Sequence, residues 1–238
     1  MDHIYNTPRA WMLGRFLTPH SHCWEGENAE FTPESDDIPW SFVPDRKVAV
    51  EDVKYMLSMH FQGTEFNPYT SRDTGKRGMY RSIGINRTGV TTICQIRPDQ
   101  PEAIKGVEWL IFGPTPFAAA LPLYTNVPSM PKYVSEVTLD TSTENFYWAS
   151  RLLSALADPN YAACIQLINR YQNAVAVKGR QLIREYDQKI AATGDLGLAK
   201  EANEKLCQMA KEQATKTLNQ VLLEASKAMK NGYRLADN

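Results

Sequence analysis

The chain predicts an α+β protein in which a small sheet is followed by a long helical hairpin. Two stretches carry the prediction. Polar–apolar alternation marks residues 81–86 and 90–97 as strands joined across Arg87-Thr88-Gly89, a short Gly-containing turn of the kind that closes a β-hairpin. Residues 107–112 are more continuously apolar, as a central strand would be. Beyond residue 160 the apolar period changes to three and four: Tyr161, Cys164, Ile168, Tyr171 and Val175 form one series. Leu206, Met209, Ala210, Val221 and Leu222 form another, with Thr193-Gly194-Asp195 between them. Two antiparallel helices joined at a glycine follow from that spacing.

From the start of the chain, Asn6-Thr7-Pro8 reads as a helix opening, a capping side chain followed by proline at the first helical position. Residues 18–46 hold several prolines and carboxylates and no period, which predicts a long loop wrapped over the surface. Helical spacing returns over 49–61, where Val53, Met56, Leu57 and His60 share a face and Gly63 stops it. Residues 64–78 form a polar loop. After the third strand, residues 118–124 are apolar but broken by Pro122, which suits a buried extended segment. Pro128 and Pro131 keep the next stretch irregular, and Thr143-Glu144-Asn145 opens a helix. The domains expected are 1–140, sheet and helices, and 141–238, a helical extension ending in a frayed tail at 231–238.

Charge and composition narrow the function. A net charge of −1 gives no electrostatic case for nucleic acid or an anionic membrane. No apolar run of about 18 residues exists to form a spanning helix. Cys23, Cys94, Cys164 and Cys207 are dispersed without a CxxC pair, the pattern of reduced thiols used as small hydrophobes, so a cytoplasmic location is expected. His20-Ser21-His22-Cys23 is the tightest group of metal-ligand types, but it lacks a second pair at zinc spacing, so neither metal nor cofactor is expected. Cys94 has no histidine beside it in sequence, which makes it filler ahead of nucleophile. Arg9 stands in the first turn of the opening helix, where a long planar side chain can reach past the helix end into a cleft.

Five blocks, in order, resemble the C-terminal half of the bacterial N-terminal-nucleophile cysteine dipeptidases, the dipeptidase A family. They are HIYNTPRAW at 3–11, VAVEDVKYMLSMHFQGTEFNPY at 48–69, YRSIGINRTGVTTICQIR at 80–97, GVEWLIFGPTPFAAALPLY at 106–124 and NFYWASRLLSALAD at 145–158. The resemblance implies a four-layer αββα sandwich and dipeptide hydrolysis. An amino-terminal cysteine would be the nucleophile and its own α-amine the base. A more distant similarity to bile-salt and penicillin amidases implies that Arg9, within YNTPR, lines the active site. Tyr5 and Asn6 of the same block are then expected substrate contacts.

No cysteine, serine or threonine follows Met1 directly; Asp2 does. The expectation is therefore a peptidase-family polypeptide lacking the nucleophile-bearing N-terminal half, inactive by itself. Its partners would be the dipeptide substrate in the complete enzyme, and that missing half or a second copy of the chain. The alternative is a non-catalytic binding or assembly module that uses the C-terminal helices as its partner surface.

Overall fold

The structure is a computed structural model and describes residues 2–230; the tail expected at 231–238 lies outside the described residues. The protein is α+β, with six α-helices and one three-stranded antiparallel sheet among the described residues. It divides into two compact units, Met1–Ile85 and Asn86–Asn238.

In the first unit, α1 (Asn6–Leu17) begins differently from the sequence expectation. Tyr5 is the N-cap residue and makes no side-chain cap, and Pro8 is the third helical residue. Asp2 takes the capping role instead. Its Oδ1 accepts the Tyr5 N–H at 2.9 Å, its Oδ2 accepts Asn6 Nδ2 at 2.9 Å, and its carbonyl accepts the Thr7 N–H at 3.2 Å. Proline is harmless at its observed place because the first four helical N–H groups have no intrahelical partner.

The second helix, α2 (Val50–Leu57), opens where Asp52 accepts the Ala49 N–H at 2.8 Å and receives a bidentate fork from Arg46. It stops four residues short of the predicted end. Ser58 Oγ turns back onto the Lys54 carbonyl, and Phe61 takes a left-handed backbone (φ 61°) that no helix can contain. His60 therefore follows the helix instead of sitting on its face.

The long loop does not merely cross the surface. It sends Trp24 and Phe31 into a core with Trp11, Met12, Met59, Phe61 and Tyr80. Indole donors hold it there: Trp11 Nε1 donates to the carbonyls of Trp24 and Phe31 at 3.2 and 3.1 Å, and Trp24 Nε1 donates to the Thr18 carbonyl at 3.1 Å. Gly14 makes room, since a Cβ there would run into three atoms of the Trp24 ring.

Residues 81–86 form no strand; the chain bends at Ile83 and Gly84 and turns at Asn86. The Arg81 N–H donates to the Ile4 carbonyl at 3.0 Å, and the N–H groups of Ile83 and Gly84 share the Met59 carbonyl at 2.9 and 3.2 Å. Alternation reports which side chains face inward; it does not say which backbone groups will pair, and here helix and loop segments took them.

In the second unit, β1 (Val90–Ile96), β2 (Gly106–Phe112) and β3 (Leu121–Tyr124) pair in that order, with Ile93 opposite Trp109 and Trp109 opposite Pro122. The apolar strand β2 is central and residues 121–124 are extended and buried, as their sequences predicted. β1 leaves Val90, Thr92, Cys94 and Ile96 exposed on one face. A short α3 (Lys132–Ser135) interrupts the proline-rich stretch, its first turn started by Pro131. In α4 (Phe146–Ala157), Asn145 caps by accepting the Trp148 N–H at 3.3 Å. The hairpin is α5 (Tyr161–Thr193) and α6 (Gly197–Lys227), with Gly194 left-handed at the close of α5.

Helices and sheet are joined by buried polar groups. Asn203 of α6 accepts the Tyr124 N–H and donates to the Tyr124 carbonyl, both at 2.9 Å, completing the free side of β3 as a neighbouring strand would. The Tyr124 hydroxyl lies 2.8 Å from Asp187 Oδ1 and 2.9 Å from the Ile183 carbonyl, and Asp187 takes a two-point fork from Arg97. Gly179 lets α5 approach β3 closely, because a Cβ would stand 2.8 Å from Pro122 Cγ.

Two stability outcomes follow. Gly14→Ala gains about 1 kcal/mol of helix propensity but overpacks against Trp24, which typically costs about 1–3 kcal/mol. Calorimetry should show a lower melting temperature. Asn203→Ala leaves a buried N–H and a buried C=O without partners, at about 1–3 kcal/mol each. Denaturant titration should show a loss of about 2–6 kcal/mol, and an undiminished midpoint would remove Asn203 from that role.

Candidate functional site

At the beginning of α1 the chain gathers Asp2, Tyr5, Asn6, Arg9 and Arg81. The Arg9 side chain is half-buried and lies across the 81–82 backbone: Nε donates to the Arg81 carbonyl and Nη2 to the Ser82 carbonyl, each at 3.0 Å. Its Nη1 has no hydrogen bond among the described residues, so part of the fork stays available. Burial, and next the charge of Arg81, pull the Arg9 pKa below its ordinary value, while Asp2 and Tyr5 oppose this. The Arg81 guanidinium stands over the exposed Tyr5 ring, 5.3 Å from its centroid. Asn6 is also exposed and holds Asp2. The structure thus brings Arg9, Tyr5 and Asn6 to one corner and adds Arg81. Sequence reasoning passed over Arg81, which is 72 positions from Arg9 and carries no local signal beyond being the polar residue of an alternating run.

A second feature is an open cleft of about 880 Å³ walled by α1, α2 and the 19–25 segment. It contains Arg15, His20, His22, Cys23, Glu30 and Arg46, among others. His22 Nδ1 lies 2.8 Å from Glu30 Oε2, and that hydrogen bond holds the exposed Glu30 carboxyl below its usual range. The Asp45 carboxylate accepts the His20 N–H at 2.7 Å. The Cys23 thiol donates to the Glu25 carbonyl at 3.4 Å and makes no hydrogen bond to His22. Nucleophile and base are therefore not assembled there. Among the described residues no group of three or more His, Cys, Asp or Glu is placed to hold a metal ion.

The remaining thiols are no closer to a reaction centre. Cys164 and Cys207 are buried, and burial raises both pKa values, that of Cys207 to about 12. Cys94 is exposed on β1, not the buried filler its strand sequence suggested, because alternation places it on the uncovered face of an edge strand. Lys54 Nζ donates to Ser58 Oγ at 2.9 Å, and burial brings the Lys54 pKa down to about 7. The Ser58 hydroxyl proton is directed to the Lys54 carbonyl, and neither residue lines the cleft.

Residues 1–174 match the model of Peptidase family C69. A Bifidobacterium longum protein named "Dipeptidase" is 37% identical over 279 aligned residues, which cover 99% of this chain and 52% of that protein. "Probable dipeptidase A" of Streptococcus pyogenes serotype M18 is 36% identical, covering 99% and 48%. "Dipeptidase A" of Lactobacillus helveticus is 30% identical, covering 99% and 49%. The chain spans about half the length of these curated relatives, and with more than half of its residues matched by the family model, it belongs to Peptidase family C69.

Proposed function

We propose that this chain supplies the Arg9 side of a dipeptidase active site whose nucleophilic cysteine lies in the half of the family-length polypeptide that this sequence does not match. The observation that carries the reading is the family membership together with the corner at Arg9. None of the four thiols is hydrogen-bonded to a histidine among the described residues, which fits a nucleophile found elsewhere. In the complete enzyme an N-terminal cysteine attacks the peptide carbonyl with its α-amine as base, since such an amine titrates near neutrality, at a pKa of about 7.7–8.0. Arg9 then directs its unengaged N–H groups at the developing oxyanion, and Tyr5 and Asn6 contact the dipeptide. A reducing, cytoplasmic setting suits the free thiols.

The proposed architecture is the αββα sandwich, with the small sheet as part of one layer. Support comes from the open side of β1, whose backbone has no strand partner among the described residues and whose exposed Val90 and Ile96 would recruit another strand. The partner is the other half of a family-length chain, or a second copy.

Two measurements test the reading. Dipeptide turnover should be absent for this chain alone and should emerge when it is co-expressed with the unmatched half of the Bifidobacterium longum dipeptidase. Turnover by the chain alone, abolished by Cys94→Ala or Cys23→Ala, would sink it. In the combined enzyme, Arg9→Lys keeps the charge and loses the planar fork. Removing one oxyanion donor typically lowers the rate on the order of 10²–10³, so kcat should fall by about that factor while the dipeptide KM changes little. Arg9→Ala also frees the Arg81 and Ser82 carbonyls, and its melting temperature should drop below that of Arg9→Lys. Full kcat in Arg9→Lys would make the residue purely structural.

A further inference from the structure

We propose that Arg81, with Arg9 adding positive potential beside it, forms a binding site for the free α-carboxylate of the ligand, so that Arg81 selects substrates with an unblocked C-terminus. The inference rests on the dipeptidase reading and names the chemistry that this corner recognises.

Three features support it. First, neither guanidinium has a carboxylate partner within salt-bridge distance among the described residues, whereas Arg15, Arg46 and Arg97 are paired with Glu25, Asp52 and Asp187. Second, both are held in place without being used up. Two backbone carbonyls fix the plane of Arg9 and leave Nη1 open, and the Tyr5 ring supports Arg81. The planar fork of Arg81 matches the two oxygens of a carboxylate, and Arg9 keeps its open N–H groups for the oxyanion. Third, the pair stands at the N-terminal end of α1, where the helix dipole adds positive potential.

Asp2, the acid whose charge acts on Arg9, is already engaged by the Tyr5 N–H and Asn6 Nδ2. The mutual repulsion of the two arginines is a cost that an incoming anion relieves. It shows in the lowered pKa of Arg9, to which Arg81 contributes after burial.

The test is a calorimetric titration of this chain with alanyl-alanine, alanyl-alaninamide and N-acetylalanine. Alanyl-alanine should bind at least tenfold more tightly than its amide. Arg81→Gln should reduce alanyl-alanine to the level of the amide and leave the amide's own affinity unchanged. Arg81→Lys, which keeps the charge, should retain an intermediate affinity. Equal affinity for acid and amide in the unmodified chain overturns the proposal without recourse to any variant. So does undiminished binding of alanyl-alanine by a folded Arg81→Gln protein, or no binding of alanyl-alanine at millimolar concentration. N-acetylalanine separates this inference from the dipeptidase reading. If it binds with the same dependence on Arg81 while the combined enzyme hydrolyses no dipeptide, the carboxylate site stands and the activity assignment falls.

Discussion

Where strand pairing ends in this protein, side chains take over the backbone. Asn203 presents an amide to both polar groups of Tyr124, and Arg9 lays a guanidinium across the carbonyls of Arg81 and Ser82. A half-buried or buried peptide group left without such a partner is costly, so these contacts are conditions for the segments to lie where they do. In the second unit the amide lets a four-residue strand serve as the inner side of a helical layer. In the first the guanidinium lets the 81–82 backbone lie beside a helix without strand pairing. The same constraint therefore shapes a structural joint in one place and the candidate site in the other.

The elements legible in the sequence are those whose periodicity and backbone bonding agree. α5 and α6 satisfy their own N–H and C=O groups, so three-and-four spacing was sufficient, and Gly194 marked the turn. β1 and β2 pair locally, and the uninterrupted apolar run placed β2 in the middle. The failures occur where a partner distant in sequence decides. Residues 81–86 alternate as a strand does but are bonded by Ile4, Met59 and Arg9. Trp24 and Phe31 belong to the core because Trp11 and Gly14 receive them, which nothing in the aperiodic stretch announces. The candidate corner was half legible: YNTPR pointed to Arg9, and Arg81 joined it only when 72 positions of chain were folded together.

Arg9 illustrates why a structural and a chemical role need not exclude each other. A guanidinium has five donors, and two bonds to carbonyls set its plane while others face outward. Orientation is the property a transition-state donor requires, since a donor already aligned needs no reorganisation when charge develops. The contacts that hold the 81–82 backbone are thus also what would give Arg9 a fixed aim.

The cysteines divide by accessibility as well as by position. Cys23 in the first unit and Cys94 in the second are exposed, whereas Cys164 and Cys207 are enclosed. A thiol whose pKa burial raises to about 12, as in Cys207, stays protonated and slow toward alkylating reagents under neutral conditions. Wild-type protein thus carries one addressable sulfur in each unit. A pair of spectroscopic labels attached there would report the spacing between the two halves directly, with no engineered residue to disturb it.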